Sequence, residues 1–463
     1  MENNYYNLID QTFEFPQEGF DVKDNKLQFH GIDLMSIIEQ YGTPLKLSYL
    51  PKISEQIQKA KGFFRNSISK HSYQGNYTYC YCTKSSHFSY VLNEALKNDI
   101  HLETSSAFDI HIIHKLIEQG RITKETFIVH NGYKRDLYVE LISGLINEGY
   151  NSIPVLDNLN ELSHFKTRVN RECNIGIRIA TGEEPQSNYY TARLGIRHRE
   201  IQDYYMNVLR KEKMFKLKML HFFIDNGIED SLYYWNELQK CLKVYCELKK
   251  ECPTLDSLNI GGGFPVKHSL ADEFDYQYLT DEIIRQIKEF CDEQGVPVPN
   301  VFSEFGSYTV AESGAAIYSI IDQKRQNDVE WWNMIDSSFI TTLPDTWAIN
   351  QRFIMLAINR WEDPFERVNL GGLTCDSQDY YNVEAHVNNI YLPEYDPKKP
   401  LYIGFFNTGA YQNALGGYGG IQHCLIPSPK QIIVYKNEEG KIVSELFSEE
   451  QGYKGMLETL GYS

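Results

Sequence analysis

The sequence predicts an α/β protein: a (β/α)8 barrel of TIM type joined to a discontinuous, C-terminal β-rich domain, a sandwich or a second small barrel. Three observations carry this. Short β-rich runs alternate with amphipathic helical runs between residues 78 and 306, and the strand count closes at eight. No Gly-rich fingerprint follows the first strand, which argues against the alternative, a doubly wound sheet binding a dinucleotide. After residue 306 the texture changes to strands separated by turns.

The eight expected strands are TYCYC (78–82), HLETS (101–105), TFIVHN (126–131), SIPVLDN (152–158), NIGIRIA (174–180), KLKMLHFFI (216–224), SLNIGGG (257–263) and NVFSEFG (300–306). Between them FSYVLNEALKN (88–98), FDIHIIHKLIEQG (108–120), LYVELISGLINEG (137–149) and YLTDEIIRQIKEFCDEQG (278–295) repeat apolar residues at helical spacing, and glycine often ends the run. Segment 181–214 exceeds a normal barrel connection and predicts an ordered loop plus a helix over 198–213. Past 306, AAIYSIIDQKR, VEWWNMIDSSF, FERVNLGGL, EAHVNNIYLP, LYIGFFNTG and KQIIVYKNEEGKIVSELF read as strands, with NEEG (437–440) a hairpin turn. LQFHGIDL and LKLSYL near the N-terminus read as strands outside the eight-fold pattern. The expected division is therefore 1–45, N-terminal strands joining the β domain; 46–306, the barrel; and 307–463, the β-rich domain.

Composition bounds the function. The chain has 463 residues, with 45 Lys+Arg against 62 Asp+Glu, a formal net charge of −17. Such a balance disfavours non-specific nucleic-acid binding. Hydrophobic residues make up 42%, enough for a large core. MENNYYNLIDQTF has neither the basic nor the apolar region of a signal peptide, and no apolar run is long enough to span a membrane. Nine cysteines are scattered without a CxxC pair, so neither a disulfide framework nor a metal site is expected, and a cytoplasmic location is.

Barrel enzymes carry their chemistry just after the strands. Here those positions are polar: Lys84, Glu103, Ser105, Asn131, Arg178, Asp225, Asn226, Gly261, Gly262, Gly263 and Glu304. Singly, each has a bland reading as a solvated charge or a helix cap. The glycine triplet after the seventh strand lets backbone N–H groups approach an anion, most often a phosphate, or serves simply as a tight turn. No GK[ST] follows, so it is not a Walker loop. A lysine, a phosphate cradle and a carboxylate together suit pyridoxal phosphate, one option among several phosphate-ligand chemistries.

The motifs resemble the fold-type III pyridoxal-phosphate decarboxylases of basic amino acids from about residue 40 to 435. YCTKSS resembles the segment with the cofactor-bearing lysine, here Lys84; LETSSAFD resembles the strand and turn that follow it; LNIGGGF resembles the phosphate loop; and SEFGSYTVAESG resembles the segment with the carboxylate at the pyridine nitrogen, here Glu304. TCDSQD resembles the motif donated across a dimer interface, which implies Cys375 as proton donor and Asp376 as a substrate contact. FFNTGAYQ resembles the motif whose tyrosine, here Tyr411, touches the phosphate. HNGYK (130–134), DNLNEL (157–162), LPDTWAINQRF (343–353) and YLPEYDPKKP (391–400) resemble the biosynthetic arginine decarboxylases, in a compact form without their extra helical insertions. Asp345 is a weaker substrate candidate, a turn residue after Pro344 in the bland reading.

The resemblance implies decarboxylation of a basic amino acid, L-arginine to agmatine first, in polyamine (spermidine) biosynthesis, by a homodimer with shared sites. Ornithine, lysine, citrulline or a carboxylated polyamine are alternatives, as are a catalytically inactive regulatory protein and a racemase-like activity. The chain departs from the family at the cofactor. In LHFFIDNG, Phe223 stands where a histidine stacks on the ring and Asn226 where a serine meets the phosphate; Ser307 replaces a phosphate-binding arginine. Phenylalanine can still stack, but a charge-assisted contact is gone.

Overall fold

The computed structural model describes residues 4–182, 192–224, 227–228, 232–381 and 389–462. The chain divides into two compact units: Ser54–Pro265 with Phe274–Thr309, and Met1–Ile53 with Val266–Glu273 and Val310–Ser463.

The first unit is a closed barrel of eight parallel strands. They are β1 (Tyr77–Cys82), β2 (His101–Thr104), β3 (Ile128–His130), β4 (Ser152–Leu156), β5 (Cys173–Arg178), β6 (Phe215–His221), β7 (Ser257–Asn259) and β8 (Asn300–Phe305). The ring closes where Val301 of β8 pairs with Tyr77 of β1. Cys80, Val129, Ile153, Val155, Met219 and Phe302 cluster in a buried layer contributed by β1, β3, β4, β6 and β8. Such a layer makes the barrel a packed core rather than a pore.

Local sequence explains where the helices start and stop. Ser106 caps Ala107–Glu118 in a reciprocal box with Asp109. Asp136–Glu148 and Tyr276–Gln294 end at Gly149 and Gly295, both left-handed. The helix expected over 198–213 spans His198–Asn207, followed by a 3-10 turn at Leu209–Lys211. Residues 183–191 of the loop before it lie outside the described residues. Each expected strand is present, but several stop short. Ser257–Asn259 ends before the glycine triplet and Phe215–His221 before Phe223, because the residues beyond turn away at the barrel rim.

In the second unit the strand Leu45–Tyr49 lies between Gly314–Arg325, its antiparallel neighbour, and Lys430–Lys436, its parallel one. They belong to a nine-stranded sheet with Trp331–Ile335, Ile354–Ala357, Phe365–Gly371, Ile390–Pro393, Leu401–Phe406 and Ile442–Ser448. Leu47, Ile317, Phe405, Ile432 and Trp361 belong to its buried core. The hairpin turn at 437–440 is closed by Asn437, whose Oδ1 accepts from the N–H groups of Glu439 and Lys441, with Gly440 at φ +75°. The N-terminal residues also form helices the strand reading does not contain, Tyr5–Phe13 and Leu34–Tyr41, capped by Asn4 and Asp33. Short helices interrupt the β-rich region at Phe339–Thr342 and Pro344–Ala348, where Pro344 sits in the first turn.

Candidate active site

The strand ends of the barrel meet in one cluster of polar groups, largely buried, with Lys84 half-exposed. Lys84 lies in a 3-10 turn directly after β1. Its Nζ donates to Glu103 Oε2 at 3.1 Å and touches Cys82 Sγ. Glu103, from β2, is fully buried; it also accepts from the Cys82 thiol at 2.7 Å and from Ser105 Oγ and Asn131 Nδ2, each at 3.0 Å. Asn131, just past β3, donates the same amide nitrogen to both oxygens of Glu304 at 2.9 Å. One N–H therefore serves Glu103 and the other is shared across the Glu304 carboxylate. Asn259, the last residue of β7, donates to Glu304 Oε1 at 2.6 Å. His221, ending β6, brings Nε2 to 3.5 Å from Glu304 Oε2 without hydrogen-bond alignment.

Burial sets the electrostatics. It raises the Glu304 carboxyl to about 7, aided by the Glu103 charge and opposed by Lys84 and the two amides. Burial also pushes His221 well below its ordinary value, with the Arg178 and Lys84 cations acting in the same direction, and pushes the Cys82 thiol well up. The site thus holds one carboxylate, Glu304, poised near neutrality and held by two neutral amides.

The glycine loop is next to this cluster. Glu304 N–H donates to the Gly261 carbonyl at 2.8 Å. Gly261 has φ +69°, and a Cβ there would lie 2.8 Å from the Phe222 carbonyl oxygen and 3.0 Å from the Phe223 ring. A side chain fits neither the backbone conformation nor the space. The Gly261 N–H is spent on Asn259 Oδ1 at 2.9 Å. The N–H groups of Gly262 and Gly263 have no hydrogen-bond partner among the described residues. The Phe223 ring packs here, with the Arg178 guanidinium 5.9 Å from its centroid. Asn226 lies outside the described residues.

The remaining sequence candidates belong to the second unit, where contacts from the segments 412–416 and 422–424 reach them. Gln412, after Tyr411, donates from Nε2 to Asp345 Oδ2 at 2.6 Å. Gly416 N–H donates to the Gln412 carbonyl at 3.0 Å, and Gln422 Nε2 to the Gly416 carbonyl at 3.0 Å. His423 Nε2 meets Asp376 Oδ2 at 3.2 Å, and Cys424 Sγ lies 3.9 Å from Cys375 Sγ. Tyr411 adopts φ +65°, rare for a large side chain.

A family model described as "Pyridoxal-dependent decarboxylase, pyridoxal binding domain" matches residues 55–311. The chain belongs to this family. A biosynthetic arginine decarboxylase of Prochlorococcus marinus (strain MIT 9215) is 21% identical over 93% of this chain and 85% of its own length. The crystal structure of the biosynthetic arginine decarboxylase from Campylobacter jejuni superposes with a TM-score of 0.80 at 19% identity, covering 98% of this chain and 90% of that one. A diaminopimelate decarboxylase from M. jannaschii superposes at 0.79 with 17% identity, covering 95% and 97%.

Pyridoxal phosphate is accordingly the cofactor of this decarboxylase, and the barrel end fits it. Asn131 Oδ1 and both His221 ring nitrogens are buried with no hydrogen-bond partner among the described residues. Buried polar atoms of this kind mark a place where a polar ligand completes the network. The unpartnered N–H groups of Gly262 and Gly263 and a carboxylate held near neutral pH match a phosphate and a basic ring nitrogen. Among the described residues no cluster suits a metal ion, and no helix is long and apolar enough to cross a membrane.

Sequence reasoning passed over three members of the cluster. Asn259 carries a signal, two residues ahead of the glycine triplet. His221 and Cys82 sit inside apolar strand runs and carry none.

Proposed function

We propose that this decarboxylase releases CO2 from L-arginine to give agmatine, the entry to a polyamine, as a cytoplasmic homodimer with shared sites. The observation that carries the chemistry is the meeting of Lys84, Glu103, Asn131 and Glu304 within hydrogen-bond reach. The choice of arginine rests on the similarity to arginine decarboxylases over nearly the whole chain.

In this reading Lys84, whose Nζ is held by Glu103, would be the residue that anchors the cofactor through its amine. Bound pyridoxal phosphate supplies an electron-withdrawing ring to the substrate α-carbon. Glu304 would hold a protonated ring nitrogen, since a carboxylate opposite a cation gives up its own proton more readily. Phe223 would supply a flat face to the ring. Gly262 and Gly263 would offer N–H groups to the phosphate, with Gly261 shaping the turn, and Asn226 and Tyr411 are the further residues that would hold it. Cys375 of the second unit delivers a proton to the α-carbon in the partner subunit's site. Asp376 accepts the guanidinium fork, a geometry suited to a carboxylate. Asp345 is the weaker candidate, because its Oδ2 is already engaged by Gln412.

The test is CO2 release by cofactor-loaded protein across arginine, ornithine, lysine, citrulline, carboxynorspermidine and diaminopimelate. Arginine is expected to have the highest kcat/KM by tenfold or more, about 1.4 kcal/mol of discrimination. A higher value for another amino acid replaces the substrate; no release from any of them rejects the reading.

A further inference from the structure

We propose that Cys375 and Cys424 form a reversible intrachain disulfide, a redox site on the loops of the second unit. Their sulfur atoms are 3.9 Å apart, and both residues are exposed, whereas the other seven cysteines of the chain are buried. A second contact pins the same two segments. Asp376 follows Cys375, His423 precedes Cys424, and these neighbours meet at 3.2 Å. Each thiol is thus presented to the other by a His–Asp contact one residue away, in segments far apart in sequence. Closing the bond to about 2.05 Å takes a shift of about 2 Å shared between two surface loops.

Cys246 and Cys291 provide the contrast. Their sulfurs lie 4.0 Å apart in the barrel unit, but both are buried on the helices Leu232–Lys249 and Tyr276–Gln294, where an oxidant cannot reach them. Separation alone does not make a redox pair; access does.

The oxidant is a low-molecular-weight disulfide. One protein thiolate attacks a sulfur of that disulfide, forming a mixed disulfide and expelling the first small thiolate. The second protein thiolate attacks the protein-side sulfur and expels the other. Two protein thiols are oxidised, one small disulfide is reduced to two small thiols, and the two protons pass to the departing thiolates. Because Cys375 is the proton donor in the proposed reaction, closing the bond stops turnover, and this consequence rests on that reading.

The experiment treats cofactor-loaded protein with oxidised glutathione. Intact mass is expected to fall by about 2 Da as two hydrogens leave. A non-reducing peptide map should join the Cys375 and Cys424 peptides, and dithiothreitol should reverse the change and restore CO2 release. Cys424→Ser should retain basal activity, lose the crosslink and show glutathione bound to Cys375 instead. A crosslink without loss of activity leaves the redox site standing and removes Cys375 from catalysis. Two thiols still open to maleimide after treatment, or a crosslink joining Cys246 to Cys291, overturns the proposal.

Discussion

At the rim of the barrel, Glu103, Asn131, Asn259 and Glu304 are buried, and each is tied to another member of the cluster by a hydrogen bond of 3.0 Å or less. In the second unit the side chains of His423 and Asp376 are 47% and 34% exposed, and both neighbouring cysteines face solvent. The first arrangement fixes charge in a medium of low polarity, where a carboxylate moves far from its ordinary pKa. The second keeps its groups accessible at little energetic cost or gain, as surface ion pairs do. Substitutions at the rim should therefore disturb both chemistry and folding, and substitutions in the loops chemistry alone.

The largest expected effect is on Lys84. Lys84→Ala should lower CO2 release by roughly 10³-fold or more, in line with the loss of a covalent catalyst. Borohydride treatment should then fix no cofactor mass on the Lys84 peptide. A variant that still fixes cofactor on another lysine would move the assignment elsewhere.

Glu304→Gln follows, with an expected loss of roughly 10²–10³ in kcat, typical of removing one placed electrostatic contact. It also has a pH signature in the cofactor-free protein. Glu304 titrates at about 7 in the fold against 4.5 for a free glutamate. The folded state holds this proton more tightly, so the stability it contributes is full below about 4.5 and lost as pH rises through about 7. At about 1.4 kcal/mol per pH unit this amounts to about 3 kcal/mol. Urea unfolding from pH 4.5 to 8 should show wild type losing stability relative to Glu304→Gln over that window. Parallel curves would mean that folding does not raise the proton affinity of Glu304.

The contrast between the two regions sharpens at Asn131 and Asp376. Asn131→Ala leaves two buried carboxylates short of a donor and should cost about 1–3 kcal/mol of stability. Asp376→Ala removes a half-exposed pair with His423 and an exposed turn bond from the Gln378 N–H, and should change stability by less than about 1 kcal/mol while reducing turnover. Equal melting shifts for the two variants would erase the distinction drawn between them.

The same contrast marks what the sequence made legible. The eight barrel strands stand out because β-branched and aromatic runs repeat between amphipathic helices, and the polar residues at their ends fall where a barrel exposes them. Lys84, Glu103, Asn131 and Glu304 are visible for that reason. Asn259 shows only through its place two residues ahead of the glycine triplet, and His221, inside an apolar strand run, not at all, since only the closed ring turns them toward Glu304. The short helices Phe339–Thr342 and Pro344–Ala348 escape for another reason. At four and five residues they have no periodicity to read, and tertiary packing makes them. The convergence of Cys375 with Cys424 depends on two loops 49 residues apart and is set only by the folded sheet between them.

The smallest expected effect lies at Phe223, where the resemblance implies a histidine. Phe223 packs against Gly261, with Arg178 near its centroid. If its role is to stack, an aromatic ring is what matters and a titratable one is not. Phe223→Leu keeps the apolar volume and loses the π-face, so cofactor affinity should fall roughly 2- to 10-fold, the equivalent of about 0.5–1.5 kcal/mol. Phe223→His restores the family residue and should bind cofactor within about twofold of wild type, because both rings present a flat face of similar reach. Fluorescence titration of cofactor-free protein measures both. A leucine variant that binds as tightly as wild type would leave Phe223 as packing for the glycine turn. A histidine variant that binds tenfold tighter would mean that the replaced imidazole gives more than a face, and that this chain has relinquished a polar contact to the cofactor.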